Sequence, residues 1–262
     1  LDYPNEWFFD PKQSKLYLIP NATVPDGAGR VIHAPPPADV QYVAVQLETL
    51  IAIEGTKAAP VTNITVQGIT FRDAADITMK RWGVPSGGDW GLYRGGAIFI
   101  EGAEGVTVQH NTLTRLDGNG VFVSGYTREV TIADNEFSWI GCSPMAAWGY
   151  TEENDGMDGQ QPRHTTIARN YVHEFGHYEK QSSFWFQAKA CLTQIEDNIV
   201  FNGPRAGINF NDGFGGGTNV TNNLIYNQCR ESGDHGAMNA WDRTAYISDV
   251  YNGKPSYTAQ MN

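Results

Sequence analysis

The sequence predicts an all-β chain folded as a parallel β-helix, a three-sheet solenoid. Three observations carry that prediction. The first is a repeat. Val130-Thr-Ile-Ala-Asp-Asn135-Glu-Phe137 has near-copies at Val106–Leu113, Thr165–Val172, Thr193–Val200 and Thr218–Ile225. Each copy has an apolar residue third, Asn sixth and an apolar residue eighth. The asparagines are Asn111, Asn135, Asn170, Asn198 and Asn223, at steps of 24, 35, 28 and 25 residues. A period in the twenties marks a solenoid. The second observation is a further short β-rich segment before every copy: Ala97–Glu101, Val121–Ser124, Met145–Trp148, Phe184–Gln187, Ile208–Asn211 and Met238–Trp241. The third is punctuation. Glycines bound these segments, and no helix-period stretch lies between them.

Taken in order, residues 1–20 read as a hairpin, with two aromatic and aliphatic runs flanking the turn-rich Asp10–Lys15. Pro25–Pro37 reads as loop and Tyr42–Ile53, which alternates, as strand. Asn63–Phe71 is a degenerate first copy of the repeat, with Ile69 where Asn would stand. Residues 72–95 are a long insertion carrying Trp82 and Trp90. The expected division is 1–60 for hairpin and lead-in, and 61–262 for the solenoid. Stacked asparagines lie in turns and hydrogen-bond along the column. The last coil ends near Val250. An open stack end invites end-to-end self-association or further domains of a longer chain.

Composition narrows the class. The 262 residues are 40% hydrophobic, 12% aromatic and 18% charged, which is ordered globular usage. Net charge is −11, and Lys and Arg are scattered, which argues against a nucleic-acid partner. No run of about 18 apolar residues is present, so no membrane insertion is expected. The chain starts at Leu1 with no signal-peptide pattern and reads as processed or partial. Sequons at Asn21, Asn63 and Asn219 fit a secreted glycoprotein, extracellular or at a cell surface or wall. Cys142, Cys191 and Cys229 are odd in number. At roughly 4.8 Å per coil, Cys142 and Cys229 stand about 14 Å apart, beyond disulfide reach, so free thiols are expected.

The repeat, together with Glu6-Trp7-Phe-Phe-Asp10 and Leu16-Tyr17, resembles the right-handed parallel β-helix superfamily of carbohydrate-active enzymes, the pectate-lyase-like group. Within it the chain is most similar to the β-helix glycoside hydrolases of fucosidase and xylanase type. The resemblance implies a right-handed β-helix with long loop insertions that acts on a polysaccharide or oligosaccharide. The fold alone does not select the chemistry.

The register of the preceding segments places candidate residues. With Ile100, Val123, Ala147, Phe186, Phe210 and Ala240 inward, the outward neighbours include Trp148, Gln187, Asn211 and Trp241. Two positions before these outward neighbours, also outward, stand Trp185, Asn209 and Asn239. Flat aromatic faces beside amides suit sugar rings. The next column reads Gly102, Gly125, Gly149, Ala188, Asp212, Asp242. Aspartates on adjacent coils stand about 5 Å apart, the separation of a retaining glycosidase's nucleophile and general acid/base. Lys189 and Arg243 follow them and suit neutralisation of the pair or an acidic sugar. His235, beside Asp234, is a candidate proton shuttle, and Glu179 a further candidate acid. Asp155 and Asp158 lie in the polar loop Thr151–Arg163.

His173-Glu-Phe-Gly-His177 spells the zinc-protease signature, which works only on a helix. Here it falls in the turn after Asn170, so no metal ligation is expected from it. The leading expectation is a glycoside hydrolase. The alternatives are a lyase or epimerase on uronic acids, which often uses Ca²⁺, and a non-catalytic structural or glycan-binding module.

Overall fold

The structure is a computed structural model. It describes residues 1–262 except 22, 26, 30, 36, 37, 86–89, 152–155, 157, 212–214, 241–247, 252, 253 and 258–262. Three parallel sheets run along one axis, and each coil contributes a strand to each. The long sheet takes Ile51–Glu54, Ile98–Glu104, Val121–Arg128, Met145–Trp148, Trp185–Ala188, Ile208–Phe210 and Met238–Ala240, and along its far edge the short strands Val61–Thr62, Pro162–Arg163, Ala190–Cys191 and Gly215–Gly216. The second sheet takes Thr65–Gln67, Thr107–Gln109, Thr131–Ala133, Thr166–Ala168, Gln194–Glu196 and Asn219–Thr221. The third takes Thr70–Ala74, Thr112–Leu116, Glu136–Ile140, Tyr171–Phe175, Ile199–Phe201 and Leu224–Tyr226.

The repeat unit is the corner between the second and third sheets. Its third positions, Val108, Ile132, Ile167 and Ile195, and its eighth, Leu113, Phe137, Val172 and Val200, pair in register and are fully buried. Chain direction changes at His110, Asp134, Arg169, Asp197 and Asn222, all at φ of 51–57°. That left-handed conformation suits glycine best, and Gly68 holds it in the degenerate copy. The asparagine that follows satisfies the corner. Asn135 Oδ1 accepts from the Asn111 backbone N–H at 3.0 Å and from Asn111 Nδ2 at 3.1 Å. Asn170, Asn198 and Asn223 repeat this one coil on; Asn135 Nδ2 also donates to Val108 O, and the three later amides likewise donate to Ile132 O, Ile167 O and Ile195 O. The ladder ends where Asn is missing: Asn111 Oδ1 accepts from Ile69 N–H at 3.0 Å.

Four expectations shift. The chain falls into two compact units at Ala44/Val45, not near 60, because Ile51–Glu54 already pairs with Ile98–Glu101 in the long sheet. Tyr42–Leu50 forms no strand; alternation without an edge to pair with does not make one. Within the first unit, the hairpin pairs Trp7–Asp10 with Lys15–Leu18. A second antiparallel pair, Thr23–Pro25 with Val31–His33, places a strand within the segment read as loop and its partner at the start of that segment. The fourth shift is a register. Ala147 pairs with Gln187, not Phe186, so the strand runs Trp185–Ala188. A one-residue slip exchanges the faces. Trp185 turns inward opposite Met145, fully buried, and Phe186 turns outward.

Candidate functional site

The outer face of the long sheet is roofed over its middle coils by the insertion. Gly83 and Leu92 bridge antiparallel and bring Trp90 and Leu92 down on Phe122, Ala146, Phe186 and Ala206. Trp90 lies 5.8 Å from Phe186 between ring centroids. That cover explains the register. Both faces of this strand are apolar, so an outward Phe186 is as well buried as an inward one. The inward amide is satisfied: Gln187 Oε1 accepts from Trp185 Nε1 at 3.1 Å, and its Nε2 donates to Ala190 O at 3.0 Å and Thr218 Oγ1 at 3.2 Å. Trp185 and Gln187 are therefore core residues, not part of a sugar-binding face.

Beyond the roof, at the C-terminal ends of the strands, the insertion returns with Arg94. Its guanidinium sits 4.0 Å from the Trp148 ring centroid and 4.1 Å from that of Tyr150. It donates to Ser124 Oγ at 2.7 Å, to Trp148 O and to Gly149 O. Glu101 completes the cluster, accepting from Ser124 Oγ and from Tyr150 OH at 3.1 Å. Burial lowers the Arg94 pKa to about 10, partly offset by Tyr150 and Glu101, so it stays charged at neutral pH. Lys189 joins this field; burial, and then Arg94, push its ammonium below the ordinary lysine range. In the corrected register Lys189, not Ala188, follows Gly102 and Gly125 in their column, and it shares their positive φ, at 51°. Arg94 was not legible in advance because an insertion has no repeat column to index it. Tyr150 lies just past its strand.

The other candidates scatter. Asn209 is fully buried; its Oδ1 accepts from Asn239 Nδ2 at 2.7 Å, and its own Nδ2 has no hydrogen-bond partner among the described residues. Asn211 is buried, and its N–H donates to Gln187 O at 2.8 Å. His235 Nδ1 lies 3.2 Å from Arg205 Nε, which donates to it, and 3.4 Å from Asp234 Oδ2, and its ring lies 5.7 Å from Trp90. Glu179 lies at the opposite, N-terminal end of the long-sheet strands, in the wall of a cavity of about 170 Å³ with Trp82, Tyr93 and Asn119. Nearby Asp117 is raised above the ordinary carboxylate range by burial, then by Asp76 and Asp73. Asp212, Trp241, Asp242 and Arg243 lie outside the described residues, as does Asp155. The strands that precede the two aspartates are in register, with Phe210 opposite Ala240. Asp158 Oδ1 accepts from Gln161 Nε2 at 2.9 Å, which ties its loop. Cys142, Cys191 and Cys229 are free thiols. Burial raises the Cys142 pKa, so that thiol is not a nucleophile.

The His-Glu-x-x-His segment begins in the strand Tyr171–Phe175, not on a helix. His173 stacks on Phe201 at 5.1 Å and His177 on Trp139 at 5.2 Å. Glu174 bonds Asn202 and, at 3.2 Å, Arg230. Among the described residues no group of three His, Cys, Asp or Glu side chains is arranged to hold a metal ion.

Three stacked parallel sheets, an asparagine ladder at one corner and loops flanking the long sheet define a right-handed parallel β-helix. The family described as "Right handed beta helix region" matches residues 50–250, and the chain belongs to it. A solved structure described as "Glycoside hydrolase" aligns with a TM-score of 0.68 at 18% identity, covering 94% of this chain and 46% of its own. The chain thus spans about half the length of that structure. No curated protein matches the sequence.

Proposed function

We propose that the chain is a carbohydrate-active β-helix and, more finely, a glycoside hydrolase that binds a polysaccharide across the C-terminal ends of the long-sheet strands. The observation that carries the reading is the Arg94 cluster. Trp148 and Tyr150 are held by a shared guanidinium, with Glu101 beside them, on a rigid parallel sheet. Aromatic rings with fixed hydrogen-bonding groups are what a sugar face needs. The likeness to a structure described as a glycoside hydrolase supports the same class. Asp212 and Asp242 remain the proposed carboxylate pair. Each stands two residues beyond Phe210 and Ala240, which pair, and equivalent side chains on neighbouring strands are about 5 Å apart, as retention requires. The sequon asparagines Asn21, Asn63 and Asn219 are all exposed, which fits a secreted protein.

The test is release of reducing ends from a panel of neutral and acidic polysaccharides. Asp212→Asn and Asp242→Asn should each abolish turnover with the fold retained. Full activity in both variants overturns the assignment. A second reading, a lyase or epimerase on uronic acids, is favoured by Lys189. A base with a lowered pKa beside Arg94 suits proton abstraction next to a sugar carboxylate. In that case products carry a new double bond or an inverted C5, Lys189→Ala stops the reaction, and chelation of Ca²⁺ slows it. Saturable glycan binding with no product of either kind identifies a binding module.

A further inference from the structure

The cavity at the other end of the long sheet is separate from the Arg94 cluster. Ser143 lines it, and Trp148 lies five residues further along the same segment, roughly 16 Å away at the rise of a β-strand. At about 170 Å³ it is smaller than the roughly 300–1,000 Å³ of pockets that enclose drug-sized ligands, so it fits one ring and not a chain.

Its walls are preorganised. Tyr93 packs on Gly95, where a Cβ would stand 2.6 Å from the ring. Trp82 packs on Gly91, where a Cβ would stand 2.8 Å from the ring. Asn119 is buried. It pins the insertion by donating to Tyr93 O at 3.1 Å and Gly95 O at 2.9 Å, and its Oδ1 accepts from Ser143 N–H at 3.1 Å. Glu179 is the carboxylate of the lining. One of its oxygens accepts from Gln181 N–H at 3.0 Å. Asp117 and Asp76 add to the field at this end; both act, with Glu179, on the buried Cys142 thiol. Two lysines close in sequence to the lining are paired elsewhere: Lys80 Nζ with Glu48 at 2.6 Å and Lys180 Nζ with Glu231 at 2.9 Å. Asp73 is likewise paired, with Arg72 and Arg115. Arg94 and Lys189, with Glu101, stand at one end of the sheet, and Glu179, Asp117 and Asp76 at the other.

We propose that this cavity binds a single ring bearing a protonated amine, an amino-sugar residue, with Trp82 and Tyr93 as its aromatic walls and Glu179 as the counter-charge. Aromatic faces and a half-buried carboxylate both favour an ammonium over a hydroxyl at the same place. The sugar identity of the ring rests on the carbohydrate-active reading above. The ammonium preference rests on the cavity alone.

Calorimetric titration of the full chain with glucosamine, glucose and N-acetylglucosamine tests it. The three share a ring, and only glucosamine carries an ammonium. Glucosamine should bind at least about tenfold tighter than the other two. Glu179→Gln should erase that preference, and Trp82→Ala should weaken glucosamine about twofold to fivefold. Glu179 is half-buried and Trp82 exposed, so both variants should keep the wild-type circular dichroism spectrum. Equal binding of glucose and glucosamine, no binding of glucosamine, or a preference that survives Glu179→Gln overturns the proposal. The readout is monosaccharide binding, so it stands or falls whether or not the chain cleaves any glycan.

Discussion

Asn135→Ala is the sharpest test of what holds the solenoid together. The side chain is 2% exposed and makes four hydrogen bonds. Oδ1 accepts from the Asn111 backbone N–H and Nδ2, and Nδ2 donates to Val108 O and Asn170 Oδ1. Alanine leaves some of these partners with alternatives: Asn111 Nδ2 still reaches Val66 O, and Asn170 Oδ1 still accepts from the residue-135 N–H. The Asn111 N–H and the Val108 carbonyl lose this partner inside the stack. Each buried, unsatisfied group costs about 1–3 kcal/mol, so the loss should be about 2–6 kcal/mol. For a chain of this size that is a Tm drop on the order of 10 °C. Asn223→Ala is the control. Asn223 also accepts twice from Asn198, but it is half-exposed in the last copy of the repeat, where water replaces what is lost. Thermal and urea denaturation of the two variants should rank Asn135→Ala clearly below Asn223→Ala. A cost under about 1 kcal/mol for Asn135→Ala, or equal costs for the pair, would refute the argument that buried corner groups depend on the ladder.

Two further predictions concern the long sheet and its acidic end. Trp185→Ala should cost about 3–5 kcal/mol, the range of a buried aromatic deletion, whereas Trp148→Ala should cost about 1 kcal/mol but weaken glycan binding; urea titration and affinity electrophoresis separate the two. Asp117→Asn should raise Tm at neutral pH and lose that advantage in acid. The folded-state carboxyl is raised, so its ionisation costs stability as pH climbs through and above the ordinary carboxylate range. Below that range both states are protonated and the variant gains nothing. A pH-independent difference would assign the effect to packing instead.

The second and third sheets were legible because their two columns obey simple rules. Third and eighth positions are apolar, and the sixth is Asn, in five coils of differing length. The long sheet was legible only in part. From Ile98 to Trp148 inward residues are apolar, so register follows from pattern. At Trp185-Phe-Gln the rule fails in two ways at once: the insertion makes the outer face apolar, and a satisfied amide occupies the inner one. Nothing in the pattern distinguishes Phe186 inward from Gln187 inward. Placing Lys189 in the glycine column depends on that choice. Trp185 leaves the expected aromatic face for the same reason. The surviving cluster is built by Arg94, whose position is set by how the insertion folds and not by any period.

The asparagine corner also governs where this molecule can acquire new parts. In every coil two residues turn the chain between the second and third sheets, from Gly68-Ile69 to Asn222-Asn223. The ladder holds that corner to a fixed length, because an added residue would lift an amide out of its stack. Yet coils differ, from 24 to 35 residues between asparagines. None of that difference falls in the asparagine corner; in the longest coil it falls between Trp148 and Pro162, within the long sheet. One edge of the solenoid is a spine closed to insertion, and the opposite face receives every loop that length variation supplies. Selection for new specificity therefore has one place to act, and the roofing hairpin with Arg94, Trp82 and Tyr93 is what it has built there.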